Sequence, residues 1–398
     1  SDLRDEMGAQ AIRLAQAIGY TSAGTVEFMV TPEGEYYFLE MNTRLQVEHP
    51  VTEYVTGLDL VEEMVRIAAG EPLSKSQADI KFKGHAMEAR IYAEDSSRGF
   101  LPSVGRLNTY LLPHEKVGEV RVDTGVEEGD IITPYYDPLI AKVIVHQPQR
   151  FLACETLLNA LNHYDVRGIE TNIHFLSALA HSSFFREGDF STATLDELYE
   201  QGFTPGHPEN PQIPIATAAV MYGIRHSLKA AELTVLMGRA PYAVRLSFDR
   251  NQFEVKREKE ILMIETQWKP GDPLFEGVFN GHHITLQIHA KGIQDVLYWN
   301  GYGVLTRVMN ERAAELYGYM PLKQKPQSSK IVSAPMPGLI IDLPVCVGES
   351  IKSGQPVAII EAMKMENIIR AKCDGIIDEV YVKKGESVNL DQQLAKIG

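Results

Sequence analysis

The sequence predicts a multidomain α+β chain built from three successive architectures, and three observations carry that expectation. A length of 398 residues exceeds one ordinary domain and divides into two or three. Proline-broken polar stretches at 202–214 and 323–330 separate a front of mixed helical and extended pattern from a run of short, evenly spaced strands. The last segment repeats itself at an offset of 37 residues. Apolar residues make up 44 % and charged residues 23 %, which excludes global disorder. Lys plus Arg number 38 against 53 Asp plus Glu, a net charge of −15 that argues against a nucleic-acid partner. No apolar run reaches spanning length and no basic-then-apolar stretch opens the chain, so neither a membrane span nor an intact secretory signal is expected. Cys154, Cys346 and Cys373 are scattered without a CxxC pair. They are expected to be reduced, mostly buried thiols that form no zinc site, in the cytoplasm or, for a eukaryotic source, the mitochondrial matrix.

The first expected element is a helix over 2–18, with Leu3, Met7, Ala11, Leu14, Ala15 and Ile18 on one face and Gly19 as its stop. It is already under way at the second residue with no initiator Met, as in a fragment whose missing front bears on the chemistry. A hairpin follows, 23–30 and 35–41, around the turn chemistry of Thr31, Pro32, Glu33 and Gly34. Helical periodicity is predicted over 58–69, 150–163 and 171–182, and extended chain over 84–94 and 119–145, which makes the first ~200 residues α+β or α/β. Four prolines and two glycines in 202–214 predict a stiff linker. One helix over 215–228 then precedes short strands at 242–248, 252–257, 260–267, 274–280, 282–289, 295–299 and 303–308, an antiparallel barrel or sandwich. Trp268 and Trp299 are expected to pack it, and the adjacent His282 and His283 to be structural. A polar linker at 323–330 is expected to be mobile.

Aligning 338–360 with 375–397 matches nine of 23 positions, among them Gly348-Glu349-Ser350 with Gly385-Glu386-Ser387 and Gln355 with Gln392. Two copies are too few for a solenoid and predict two similar β-halves about a pseudo-two-fold axis, closed into a flattened barrel. The hexapeptide EAMKME at 361–366 joins the halves. Alone, a surface lysine is unremarkable. Lys364 coincides with the pseudo-dyad, on a turn between methionines that offer a soft apolar surface, which points to a lysine presented for covalent modification.

In the front hairpin, pairing about Glu33-Gly34 sets Glu27 opposite Glu40. Two opposed carboxylates repel unless a cation lies between them, and with the Asn42 amide oxygen they form the hard oxygen set that Mg²⁺ takes. Arg44, Gln46 and Glu48 share the parity of Glu40 and Asn42 if the chain stays extended. A guanidinium can hold a small oxyanion and Glu48 can serve as a general base. His49 before Pro50 is read only as shaping a turn.

Two groups of motifs resemble known families. APMPG at 334–338, EAMKME and the residues after them, about 331–398, resemble the biotin carboxyl carrier domain of biotin-dependent carboxylases. That resemblance implies biotin in amide linkage to Lys364, attached by a biotin–protein ligase. EMNTRLQVEHPVTE at 40–53, HAMEARIYAED at 85–95, FLPSVG at 100–105, PYYDP at 134–138 and RGIETN at 167–172 resemble the C-terminal part of biotin carboxylase, an ATP-grasp enzyme. By this resemblance Glu27, Glu40 and Asn42 hold Mg²⁺ or Mn²⁺, Arg44, Gln46 and Val47 hold bicarbonate, Glu48 is the base that deprotonates it, and Arg90 stabilises the biotin enolate. The hairpin turn before Glu40 is one residue longer than in that family, and its glycine-rich ATP loop would precede Ser1, so this stretch alone is expected to be inactive.

The order helix, short strands, carrier resembles acyl-CoA carboxylases, in which an antiparallel barrel wraps a helix and docks the carboxyltransferase β subunit. The implied domains are 1–201, a partial ATP-grasp fold with the carboxylase C-terminal domain; 202–322, the docking barrel; 323–330, a linker; and 331–398, the carrier. No carboxyltransferase pattern is present, so acyl-CoA would be met only through the β subunit. VRGIETN at 166–172, GDFST at 188–192 and DELYEQGF at 196–203 look most like propionyl-CoA carboxylase α subunits, with 3-methylcrotonyl-CoA carboxylase as the close competitor. The rival from another class is a non-catalytic biotin carrier and scaffold.

Overall fold

Small and apolar residues on every side of one helix decide the core of the barrel that follows it in sequence. In the computed structural model, which describes residues 2–199, 203–208, 210–249, 252–320, 330–363 and 365–398, the helix Gln212–Arg225 buries Ile215, Ala216, Ala218, Ala219, Val220 and Met221. A helix apolar all round must be enclosed. It is: strands Ala230–Met237, Ala240–Asp249, Gln252–Arg257, Glu260–Thr266, Leu274–Phe279, His282–Lys291, Gln294–Trp299 and Tyr302–Asn310 form a closed antiparallel barrel around it. Closure comes from the first strand pairing with the last, Leu233 with Asn310 through Met237 with Thr306. Gly223 is required where the helix meets the wall, because a Cβ there would collide with Leu246. The helix end is pinned by Arg225, which pairs with Asp295 at 2.5 Å and lies 5.4 Å over the Trp268 ring.

Trp268 is 6 % exposed and in the barrel core, Trp299 packs against that core, and His282 and His283 are both exposed. Two expectations for this region are corrected. The strand Ala230–Met237 carries no clean alternation and was not anticipated, and the helix starts three residues earlier, inside the stretch read as a linker. Phe203, in the same stretch, is 3 % exposed and packs edge-on against Phe175 and Tyr199. Residues 323–329 of the second linker lie outside the described residues.

The repeat at the end of the chain has a structural meaning. Strands Gly338–Asp342, Ser350–Ile351 and Pro356–Ala362 recur as Gly375–Val380, Ser387–Val388 and Gln393–Ile397, distributed over two four-stranded sheets that share one core. The hydrogen bonds recur at the same offset. Gly348 N–H donates to Ile377 O at 2.8 Å and Gly385 N–H to Ile340 O at 2.7 Å. Glu349 accepts from Cys346 N–H and Glu386 from Lys383 N–H, each at 3.0 Å. Gln355 accepts from Lys352 N–H at 2.7 Å and Gln392 from Asn389 N–H at 2.9 Å. The repeated Glu and Gln are loop-closing acceptors for backbone donors that would otherwise lack partners.

The chain divides into two compact units, Ser1–Ala89 with Glu115–Arg121 and Val143–Leu157, and Arg90–His114 with Val122–Lys142 and Leu158–Gly398. The first contains the helix Asp2–Ala17, the hairpin Thr25–Val30 and Tyr36–Asn42, and the helices His49–Thr56 and Leu60–Ala68, the last capped by Asp59 accepting from Glu62 N–H at 2.8 Å. Among the described residues no helix is long and apolar enough to cross a membrane. All three cysteines are free; Cys154 is buried 3.8 Å from the Met87 sulfur, whereas Cys346 is exposed, against the expectation of burial.

Candidate functional site

The front hairpin sets Glu27 directly opposite Glu40 and Thr25 opposite Asn42. A bulge after Glu27 then shifts the register, pairing Phe28 with Phe38. Glu27 is half-buried and Glu40 exposed. Their repulsion is relieved by Asn42, whose Nδ2 donates to Glu27 Oε1 at 2.8 Å and Glu40 Oε1 at 3.1 Å. The amide NH₂ thus occupies the place a cation would take between the carboxylates. The donor set fits a hard divalent ion once the amide turns its oxygen inward, giving three oxygens and leaving positions for other ligands. No group of three or more His, Cys, Asp or Glu side chains assembles a metal site among the described residues.

Beyond Asn42 the expected extended row does not form. The strand ends there, and Glu48 is the N-cap of the helix His49–Thr56, with Pro50 in its first turn where a missing N–H costs nothing. Arg44, Gln46 and Glu48 therefore lie on a loop and a helix start, not on one strand face. Arg44 turns back along the chain: its Nη1 donates to Gln46 Oε1 at 2.8 Å and its Nη2 to Asn42 Oδ1 at 3.3 Å. The guanidinium is thereby tied to the residue that bridges the two carboxylates. Arg44 and Glu48 are exposed, and Gln46 and Val47 are half-buried. His49 Nδ1 lies 2.8 Å from Gln46 O, a loop-closing contact.

Arg90 belongs to the strand His85–Tyr92, half-buried. Its backbone is held by a residue to which the sequence assigned no role. Asn172, 6 % exposed, donates from Nδ2 to Arg90 O at 3.0 Å, accepts at Oδ1 from Tyr92 N–H at 2.9 Å, and donates its own N–H to Tyr92 O at 3.2 Å. One side chain imitates a neighbouring strand and fixes the backbone from which Arg90 projects. The only sequence signal was the presence of Asn172 in RGIETN, with partners 80 and 82 residues away.

Glu94, four residues on, has its carboxyl pushed up to about 7, first by burial and then by the neighbouring Asp137 charge. A second polar cluster surrounds Asp165, which is fully buried. Arg167 Nε donates to its Oδ2 at 2.7 Å and His289 Nε2 lies 3.0 Å from its Oδ1. Beside them His174 stacks on Tyr298 with centroids 3.7 Å apart, and burial, then His289, pushes its imidazole down to about 3. Arg167, His174, His289 and Tyr298 are among the residues that line a cavity of about 270 Å³. Lys364 lies outside the described residues; the strands on either side of it, Pro356–Ala362 and Met365–Arg370, pair Ala362 with Met365.

Four family descriptions match successive stretches: the ATP-binding domain of the carbamoyl-phosphate synthase L chain over 1–76, the biotin carboxylase C-terminal domain over 88–197, the propionyl-coenzyme A carboxylase BT domain over 221–323, and the biotin-requiring enzyme domain over 330–397. The chain is 41 % identical over 423 aligned residues to the propionyl-CoA carboxylase alpha chain of Ruegeria pomeroyi, covering 98 % of this chain and 62 % of that one. To the human mitochondrial alpha chain it is 37 % identical, covering 100 % and 57 %. To the mitochondrial methylcrotonoyl-CoA carboxylase subunit alpha of rice it is 33 % identical, covering 98 % and 59 %. The chain thus spans about three-fifths of the length of these relatives.

Proposed function

We propose, from the homology of this chain along nearly its whole length to propionyl-CoA carboxylase alpha chains, that it is part of the biotin-bearing subunit of an acyl-CoA carboxylase, a ligase that forms C–C bonds. The single observation that carries this reading is the order of the four domain matches on one chain. We assign 1–201 to the carboxylase part, 202–322 to a barrel that docks a carboxyltransferase β subunit, 323–330 to a linker and 331–398 to the carrier. Propionyl-CoA is the favoured acceptor, reached through the β subunit. The methylcrotonoyl relative is the less identical one.

Glu27, Glu40 and Asn42 would hold Mg²⁺ or Mn²⁺, which when bound offsets the charge of ATP phosphate oxygens. Biotin, attached to Lys364 by a biotin–protein ligase, would supply the ring that receives the carboxylate. The chain's own residues do the rest. Arg44, already aimed by its bonds to Gln46 and Asn42, presents a planar fork to bicarbonate, and Gln46 and Val47 complete its cradle. Glu48, exposed at the helix start beside them, takes the bicarbonate proton. Arg90 offers a fixed positive charge to the developing oxyanion, on a backbone braced by Asn172. Its three free cysteines suit a reducing compartment, the cytoplasm or the mitochondrial matrix.

The test is bicarbonate-dependent ATP turnover by the full-length protein together with its β subunit. Glu48→Gln should lower turnover by at least ~100-fold, the usual contribution of a positioned general base, while biotinylation is retained. Biotinylation without any bicarbonate-dependent turnover would favour the scaffold reading.

A further inference from the structure

The helix His49–Thr56 has eight residues, four of them β-branched, and a helix that short holds no fixed direction without outside ties. Its ties come from three consecutive residues in its second half. Glu53 Oε2 accepts from Arg121 Nη1 at 2.9 Å, and Glu53 Oε1 accepts from Leu60 N–H at 3.0 Å. Tyr54 stacks on His146 with ring centroids 5.6 Å apart. Val55 O accepts from Lys83 N–H at 2.8 Å, and His146 Nε2 lies 2.8 Å from Lys83 O, so the last two ties reinforce each other. All of these residues lie in the first compact unit.

Glu53 differs from its neighbours in what it commits. Tyr54 offers a ring face and Val55 a backbone oxygen. Glu53 commits a carboxylate whose side chain is 11 % exposed, and it reaches both the strand Val120–Thr124 and the first residue of the helix Leu60–Ala68. A carboxylate that deep is costly unless its oxygens are used, and both are. Two bonds from one side chain fix the rotation of the helix about its axis as well as its position. Glu48 stands five residues earlier, at the helix start, about 7.5 Å along the axis at ~1.5 Å per residue. Its side chain does not cap the helix, so the direction of the helix sets where that carboxylate sits. A shift of about 1 Å at a reacting group can cost ~100-fold in rate.

We propose that Glu53 is a positioning residue for Glu48, holding the helix start in register through its bonds to Arg121 and Leu60. The inference rests on the reading of Glu48 as the bicarbonate base and adds to it the residue through which that base is aimed. Both oxygens of Glu53 are committed within the fold, so it acts on the reaction through Glu48 and not by contact.

The test is a double-mutant cycle in the full-length protein with its β subunit, read as bicarbonate-dependent ATP turnover. Glu53→Ala should lower kcat ~10-fold, with KM for ATP within ~2-fold. In a Glu48→Gln background the same substitution should lower the residual turnover by less than ~2-fold, because there is no longer a carboxylate to aim. Arg121→Met cuts one tie and leaves the Leu60 bond. It should act in the same direction with a smaller loss, and it carries the test if Glu53→Ala does not fold. Hydrogen exchange checks the bond itself: the Leu60 amide should exchange at least ~10-fold faster in Glu53→Ala, while the Glu62 amide, held by Asp59, is unchanged. Equal losses in both backgrounds, a loss confined to KM for ATP, or unchanged turnover overturns the proposal and leaves the base reading in place. Full turnover by Glu48→Gln overturns that reading, and the proposal with it.

Discussion

The front hairpin and the Asp165 cluster contain similar side chains and differ in what those side chains have left to offer. In the hairpin, Glu27 and Glu40 face each other with only an amide between them, and Arg44 reaches along an exposed loop. The bonds among Glu27, Glu40, Asn42, Arg44 and Gln46 stay within 15 residues of sequence, and Glu40 and Arg44 are open to solvent. Asp165 is fully buried, with each oxygen already taken by Arg167 or His289, and Arg167 Nη2 is further committed to Ile288 O at 2.8 Å. Charge in the first place is available for a ligand; in the second it joins elements of the fold. A polar cluster is a site to the extent that its groups are under-used.

The largest effect that comparison predicts is at the buried cluster. Asp165→Ala leaves Arg167 without its carboxylate and should cost about 3 kcal/mol in chemical denaturation, the lower end for breaking a buried pair because Arg167 is partly exposed. A loss under ~1 kcal/mol would mean that Asp165 is as dispensable as a surface charge.

Next come two pH effects of opposite sign. His174, facing His289 and Asp165, is held far below the ordinary 6.5 of histidine, so the folded state binds fewer protons than the unfolded one. Its contribution is complete above pH 6.5 and is lost as pH falls toward 3. His174→Phe, which keeps the stack on Tyr298, should flatten the acid limb of a stability–pH curve. Glu94 is raised from 4.5 to about 7, so the folded state binds the extra proton and its stability contribution is lost as pH rises across that window. Glu94→Gln should remove that decline between pH 4.5 and 7, and an unchanged slope would contradict the raised carboxyl.

The smallest effect belongs to the hairpin. Glu40→Gln removes one of two opposed like charges and should leave stability unchanged or raise it by about 0.5 kcal/mol, while weakening Mg²⁺ binding measured by calorimetry. A clear destabilisation would place Glu40 with Asp165, as a structural charge.

The two regions were also unequally legible in sequence. The turn residues at 31–34 marked the hairpin, because hairpin pairing is local, but the tip pairs one residue out of the expected register, Met29 with Tyr37 and Phe28 with Phe38, and it is the bulge after Glu27 that brings Glu27 opposite Glu40. The carrier was legible for a related reason: its Glu349/Glu386 and Gln355/Gln392 acceptors close the same loop twice. The helix His49–Thr56 was not anticipated: Val51, Thr52, Val55 and Thr56 are β-branched and weaken the helical signal, and Pro50 reads only as part of a turn. Asp165 and Asn172 were given no role in sequence because their long-range partners meet them only once the chain is folded, Asp165 with His289 at 124 residues' separation and Asn172 with Tyr92 at 80.

The most direct measurement for the account as a whole is the intact mass of the protein after co-expression with a biotin–protein ligase. One biotin adduct is expected, located at Lys364 by peptide mapping and absent from Lys364→Arg. An adduct that survives Lys364→Arg, or a chain that the ligase leaves unmodified, would contradict the account.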